Sequence, residues 1–247
     1  MSIERSHFDR ESSAYPETVG ETRAQSLKWQ LILERAAPGL VAADIGAASG
    51  RHAIPLAGFG ATVVAVDIST EMLARLKKRS LEAGVNVHAV ASGLPELALH
   101  PERFDLAYCY STLLLLPHDQ QIAAIRTLAG LLRPGGTLIL DLAGARSLSL
   151  FYWRRYYRKL GFPGIFGWRL SQVKNLVAEN NLIVTGIYPQ GALSQFLLLP
   201  GATRFPQLER LIRGNRDRHG LDEAVSKWLP ALAERWYVMA QRPSRGS

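Results

Sequence analysis

Two aspartates at the ends of short apolar runs are the first residues in this chain that could do chemistry. Asp44 closes Val41-Ala42-Ala43 and leads into Ile45-Gly46-Ala47-Ala48-Ser49-Gly50-Arg51, while Asp67 closes Val63-Val64-Ala65-Val66 and leads into Ile68-Ser69. An acid at the end of the second strand of an α/β sheet can accept hydrogen bonds from both hydroxyls of a ribose. Gly46, Ala48 and Gly50 let the backbone turn tightly and a ligand approach closely, and Asp44 lies at the edge of that crevice. A nicotinamide-binding turn needs Gly-x-Gly-x-x-Gly, and Ala48 and Arg51 stand at two of those three positions. A Walker loop needs Lys and Ser/Thr after its second glycine, and neither is present.

The apolar spacing supplies the elements that position these acids. Buried strands are expected over Leu40–Ile45, Thr62–Val66, Val85–Val90, Phe104–Tyr110 and Thr137–Leu142. Helices are expected over Gly50–Phe59 and Ser69–Ala83, with Ser69 as a cap. A third helix carries Ile122, Ile125, Ala129 and Leu132 and stops at Arg133-Pro134-Gly135-Gly136. Ala24, Leu27 and Leu31 mark an earlier one, preceded by a polar, irregular stretch over residues 1–20. The alternation breaks at Gly144–Leu170 and resumes with a helix over Ser171–Glu179 and a strand over Leu182–Tyr188. It breaks again over Pro189–Leu229 and closes with a strand over Arg235–Ala240. The fold expected is α/β: a Rossmann-like, doubly wound, mostly parallel seven-stranded sheet with an antiparallel last strand and a helical cap. Residues 1–247 then form one domain, with residues 1–37, 144–170 and 189–230 as cap or lid.

Composition sets wide bounds. The chain has 247 residues, 47% hydrophobic and 20% charged, enough apolar material for one sizeable core. Its single cysteine, Cys109, excludes an intramolecular disulfide and a cysteine-rich zinc site, and its position in an apolar strand favours a core role. No metal is expected. The first ten residues lack a signal-peptide core, and no run reaches the roughly 18 apolar residues of a membrane span, so a cytoplasmic location is expected. The net charge of +8 suits an anionic substrate, nucleic acid or a membrane surface, and equally simple solubility.

With these motifs in order, the sequence resembles class I S-adenosylmethionine-dependent methyltransferases, most closely the ubiquinone and menaquinone biosynthesis group. Asp44-Ile45-Gly46-Ala47-Ala48-Ser49-Gly50 is similar to that family's first motif, with Ala48 replacing a glycine. The stretch from Leu56-Ala57 through Asp67-Ile68-Ser69 to Met72-Leu73 resembles the region up to the ribose acid. Leu94-Pro95 and Phe104-Asp105-Leu106 resemble the approach to the fourth strand. The most specific match is Leu131-Leu132-Arg133-Pro134-Gly135-Gly136-Thr137-Leu138, before the fifth. Phe8-Asp9 and Ala14-Tyr15 resemble the N-terminal cap, and Tyr237-Val238-Met239-Ala240 the final strand.

The resemblance implies S-adenosyl-L-methionine as cofactor, bound by Tyr15, Asp44, Gly46, Ala48, Gly50, Asp67, Ile68, Met72, Ala91, Ser92 and Tyr110. The glycine loop would take its amino-acid end, Asp67 its ribose, and Ile68 and Met72 its adenine. One position departs: Val90 stands where many relatives carry an Asp for the adenine amino group, and Ser92 is the candidate substitute.

A small-molecule acceptor, aromatic or lipid-like, would meet the cofactor beyond the fourth strand, around Tyr108–Thr112. Tyr110, Ser111 and His118 are the candidates to position it, with His118 and Tyr110 the catalytic candidates and His7 and His52 alternatives. The segment Ser147–Lys159 combines five aromatics with four cations. It reads as a lid over the acceptor, a surface helix, a membrane contact or a nucleic-acid stacking surface. Phe196-Leu197-Leu198-Leu199-Pro200 is a second apolar candidate for that cover. An RNA methyltransferase and a non-catalytic cofactor-binding protein of the same fold are the alternatives to small-molecule transfer.

Overall fold

A computed structural model describes residues 2–20, 22–199, 206–215 and 217–244. Pro200, and residues 201–205 and 216 of the 189–230 stretch, lie outside the described residues.

The core strands form where the β-branched and aliphatic runs stand. They are β1 (Val41–Ile45), β2 (Thr62–Asp67), β3 (Val87–Ala91), β4 (Phe104–Cys109) and β5 (Leu132–Gly144). Four of the five residues of β1 and five of the six of β4 are buried, as a strand covered on both faces must be. The spatial order is β3-β2-β1-β4-β5-β8-β7, with the first five strands parallel. The last strand, β8 (Arg235–Gln241), is inserted antiparallel between β5 and β7 (Ile183–Gln190). An eighth strand, β6 (Gly167–Trp168), pairs with the end of β5, so the sheet has one strand more than the seven expected. Two residues carry no periodicity to read.

Helices α2 (Arg23–Leu33), α3 (Ala53–Gly58) and α4 (Thr70–Glu82) bury one face of the sheet. Helices α5 (His118–Leu131) and α7 (Leu170–Glu179) bury the other. Side-chain caps set several starts: Ser69 accepts from Met72 N–H, and Thr22 forms a capping box with Gln25. Gly136, in the turn read as the most specific motif, has no room for a side chain. A Cβ there would lie 2.9 Å from the carbonyls of Arg133 and Phe104.

The N-terminal stretch corrects the expectation of an irregular segment. Ile3–Glu11 is a helix, α1, capped by the Ser2 hydroxyl at Arg5 N–H, followed by a 3-10 turn over Ser12–Ala14. It buries none of its residues, so it carries no apolar stripe for the eye to find. Residues 144–170 contain α6 (Leu148–Lys159), and residues 189–230 contain α8 (Pro206–Arg213) and α9 (Leu221–Trp228). Leu114, Leu115, Leu150, Phe162 and Ile165 form a small core under α6, against which Phe8, Trp153 and Tyr157 pack.

Candidate active site

The carboxyl ends of β1, β2 and β4 open into a cleft. Ile45, Gly46, Ala48 and Asp67 form its floor, Ile68, Met72, Gly93 and Leu94 one wall, and Tyr110, Ser111 and Thr112 the far end. Its roof comes from two cap helices, through Glu4 and Phe8 of α1 and Tyr157 of α6. A second compartment continues behind the loop, lined by Tyr15, Gln25, Lys28, Asp44, Arg51 and His52. Tyr15, Gly46, Ala48, Tyr110 and Ser111 border both.

The loop itself discriminates among ligands. Gly46 and Ala47 donate their N–H groups to the Val66 carbonyl at 2.8 and 3.0 Å, Ala48 donates to Asp67 Oδ2 at 2.8 Å, and Gly50 donates to the Ala47 carbonyl at 3.0 Å. A phosphate-binding turn keeps such groups free to point at its anion. Here they are spent inside the protein, and two carboxylates stand beside them. The arrangement suits a cationic, hydroxyl-rich ligand without phosphate.

Asp67 accepts from Ala48 N–H with one oxygen and from Ser69 N–H with the other, at 2.8 and 2.9 Å. A carboxylate has about four lone-pair sites, so Asp67 keeps acceptor capacity beyond its backbone donors. Burial raises the Asp67 pKa, against the pull of its backbone donors Ser69, Ala48 and Ile68. Asp44 is deeper. Parallel pairing sets it level with Tyr108 of β4. Burial pushes its pKa up to about 7, with the Tyr108 hydroxyl and Arg51 opposing and Asp67 adding to the rise. Its Oδ2 and the Tyr108 hydroxyl are both buried and interact with each other, but neither completes a well-formed hydrogen bond.

At the far end, the sheet holds a charge cluster that the sequence motifs do not contain. Asp141 of β5 is fully buried, and its Oδ2 accepts from Lys28 Nζ at 2.8 Å, Arg235 Nη1 at 2.8 Å and Ser111 N–H at 3.1 Å. The Ser111 hydroxyl accepts from the same two cations at 3.0 and 3.2 Å. Ser111 has φ +60, a left-handed backbone uncommon for serine, and these contacts hold it there. Lys28 Nζ also lies over the rings of Tyr110 and Tyr237, 5.1 and 5.2 Å from their centroids. Burial is the largest influence on Lys28 and lowers its pKa, while Asp141 works the other way. The signal for this cluster was an acid inside the apolar run Leu138-Ile139-Leu140-Asp141-Leu142.

Of the cofactor positions expected from the sequence, Tyr15, Asp44, Gly46, Ala48, Asp67, Ile68, Met72, Ser92 and Tyr110 border one of the two compartments. Gly50 does not: its missing Cβ makes room for Ile54 and Leu76 in the core. Ala91 ends β3 beside Asp67 and lines neither compartment. The Ser92 hydroxyl is engaged locally, accepting from Ala98 N–H and donating to the Glu96 carbonyl. Val90 packs against the core.

His118 does not reach the cleft. Its ring lies against Trp168, 4.5 Å between centroids, with Nε2 3.0 Å from the Gly167 carbonyl. His7 packs on Phe8 and Phe162. His52 borders the second compartment beside Trp29 and Tyr110, and burial drives its pKa down to about 3, which keeps it neutral. The Tyr110 hydroxyl donates to the Lys28 carbonyl at 2.9 Å. Burial raises the Cys109 thiol to about 12, so it is an inert core residue. Among the described residues, no group of three or more His, Cys, Asp or Glu is placed to hold a metal.

Gly46 carries the sharpest steric demand in the loop. It has φ +77, and a Cβ would collide with Thr112 Oγ1. Gly46→Ala is expected to destabilise the protein by about 1–3 kcal/mol in urea unfolding. Adding Thr112→Ala should relieve the collision and leave only the backbone strain.

Residues 42–136 match a family described as a methyltransferase domain. The ubiquinone biosynthesis O-methyltransferase of Xanthomonas campestris pv. campestris (strain B100) is 36% identical over 107 residues, 43% of this chain and 44% of that protein. The chain thus matches less than half the length of such curated relatives. Magnesium protoporphyrin IX methyltransferase (ChlM) from Synechocystis PCC 6803, solved with bound SAH, superposes with a TM-score of 0.62 at 18% identity, covering 97% of this chain and 98% of that one. The [4+2]-cyclase SpnF superposes at 0.66 and 15% identity, covering 98% and 93%. The structural likenesses establish the Rossmann-like fold, and the cyclase shows that this fold alone does not choose the reaction.

Proposed function

We propose that the protein binds S-adenosyl-L-methionine across the tips of β1 and β2 and transfers its methyl group to a small, apolar or aromatic acceptor. The observation that carries this reading is the pairing of two carboxylates, Asp44 and Asp67, with a glycine loop whose amides are turned inward. Asp67 would hold the ribose and the walls at Ile68 and Met72 the adenine. The Asp44 carboxylate would face the ammonium of the amino-acid end. When bound, the sulfonium supplies an already activated methyl group.

What remains for this chain's residues is to exclude water and orient the acceptor. Phe8 and Tyr157 do the first from the roof. Ser111 and Thr112, fixed by the Asp141 cluster, give the acceptor end a rigid wall. The largely apolar cleft and the name of the curated relatives both favour an aromatic, lipid-like acceptor methylated on oxygen.

Calorimetric titration with S-adenosylmethionine tests the reading. Saturable binding is expected, weakened by roughly 10–100-fold in Asp67→Ala, the loss of charge-assisted hydrogen bonds to the ribose. No saturable binding, or an unchanged Kd in a variant shown by circular dichroism to be folded, would overturn it.

A further inference from the structure

Helix α6 has two working faces. Its inner face carries Leu150, Trp153 and Tyr157, packed on the small core beneath, with Tyr157 reaching the cleft. Its outer face carries Leu148, Phe151, Tyr152 and Tyr156, all exposed, Phe151 by 69%. Residues 148, 151, 152, 155 and 159 fall at three- and four-residue intervals, so Arg155 and Lys159 share that stripe. Both cations are exposed and make no ion pair among the described residues. The helix contains no acid. Two other cations, Arg154 and Arg158, reach the Ile165 and Pro163 carbonyls and tie down the loop that follows.

The apolar part of this surface extends beyond α6. The Leu148 N–H is held by Gln195 Oε1 of the adjoining 3-10 turn, Ser194–Leu198. Phe196 of that turn and the following Leu199 are exposed, Leu199 by 56%. Helix α8 packs on the same turn and exposes Leu208, Leu211 and Arg210. Exposed aliphatic and aromatic side chains thus stand beside cations that make no ion pair among the described residues.

We propose that this outer face of α6, with Phe196, Leu199 and Leu211, docks on the surface of a bilayer containing anionic lipid. Aromatic rings and cations on one helix face are the chemistry of the lipid headgroup boundary, where rings sit among the carbonyl groups and ammonium or guanidinium groups meet phosphate. Bases of a single-stranded nucleic acid would stack on the rings but have no use for Leu148, Leu199 and Leu211. A second copy using the same helix face would bring no acid to Arg155 and Lys159, because α6 has none. Among the described residues no helix is long and apolar enough to cross a membrane, so the contact is a peripheral one. Docking would place the cap of the cleft at the lipid surface. The binding itself does not depend on the methyl-transfer reading.

Co-sedimentation of the full chain with vesicles tests this directly. Vesicles with about one-third phosphatidylglycerol in phosphatidylcholine should carry the protein down, and pure phosphatidylcholine vesicles should carry much less. The double variant Arg155→Gln with Lys159→Gln should lose roughly 20–30-fold in partitioning. Phe151→Ser with Tyr152→Ser should lose binding even at low salt. None of these four residues lines the cleft, so S-adenosylmethionine titration and thermal melting of each variant report an intact fold. Absence of sedimentation with the anionic vesicles, or sedimentation unaffected by both double variants, would overturn the proposal. So would a concentration-dependent dimer, or RNA binding, that the aromatic variant abolishes while vesicle binding persists.

Discussion

Asp141→Ala is expected to cost about 3–5 kcal/mol of stability, because it leaves two buried cations with no counter-charge. The carboxylate is fully buried, and one of its oxygens serves Lys28, Arg235 and the Ser111 backbone together. Lys28 and Arg235 come from α2 and β8, far apart in sequence, so the cluster ties the chain's start and finish to β5. Urea unfolding at neutral pH would measure the loss. Replacing all three partners by apolar residues of similar size (Asp141→Leu, Lys28→Met and Arg235→Met) should recover much of it, since the penalty lies in isolation of the charges rather than in their absence. The repacked protein would still lack the contacts that hold Ser111 at positive φ, so the acceptor end should be the part that stays disturbed. A single Asp141→Ala variant as stable as the parent would show that water or a neighbouring acid neutralises the pair.

The second large effect is a pH dependence set by Asp44. Its carboxyl lies near 7 in the folded protein against an ordinary value of 3.8, mainly because burial penalises the anion. The folded state therefore binds this proton more tightly than the unfolded chain does. The stability it contributes is fully present below the unfolded pKa and is lost as pH rises through about 7. At about 1.4 kcal/mol per pKa unit between the two states, the whole change is on the order of 4 kcal/mol. Asp44→Asn, which imitates the protonated acid, should flatten that part of the curve, and paired urea titrations near pH 5 and pH 8 would show it. Ligand affinity should run the opposite way. If the ammonium of the bound nucleoside meets the carboxylate, binding requires the anion and strengthens as pH rises through 7. In Asp44→Asn that rise should vanish.

Much of the fold could be read from the residues because most strands centre on apolar runs, several of them β-branched, and several helices carry clear stops. The register of Asp44 and Asp67 at two adjacent strand tips followed from the same pattern. What escaped was of two kinds. Helix α1 escaped because it buries nothing, so only its Ser2 cap and Glu4 announce it. Lys28, Asp141 and Arg235 escaped because their meeting is decided by sheet order, which local spacing does not encode. His118 was misjudged for the same reason: it begins α5 near the cleft in sequence, yet its ring turns to Trp168. Gly50 shows that a motif glycine can be needed for core packing rather than for its ligand.

The insertion of β8 between β5 and β7 has a consequence for how a nascent chain reaches this architecture. When β5 has left the ribosome, the edge that β8 will cover has no neighbour, because β6 pairs on the opposite edge, beyond the end of β4. β7 follows but cannot occupy that edge, because its own partner is the strand still to be made. Roughly ninety residues of translation therefore separate β5 from the strand that covers it, and throughout that interval an apolar edge is open to pairing with another chain. The sheet cannot be complete until residues 235–241 stand between β5 and β7, and the same placement brings Arg235 to Asp141.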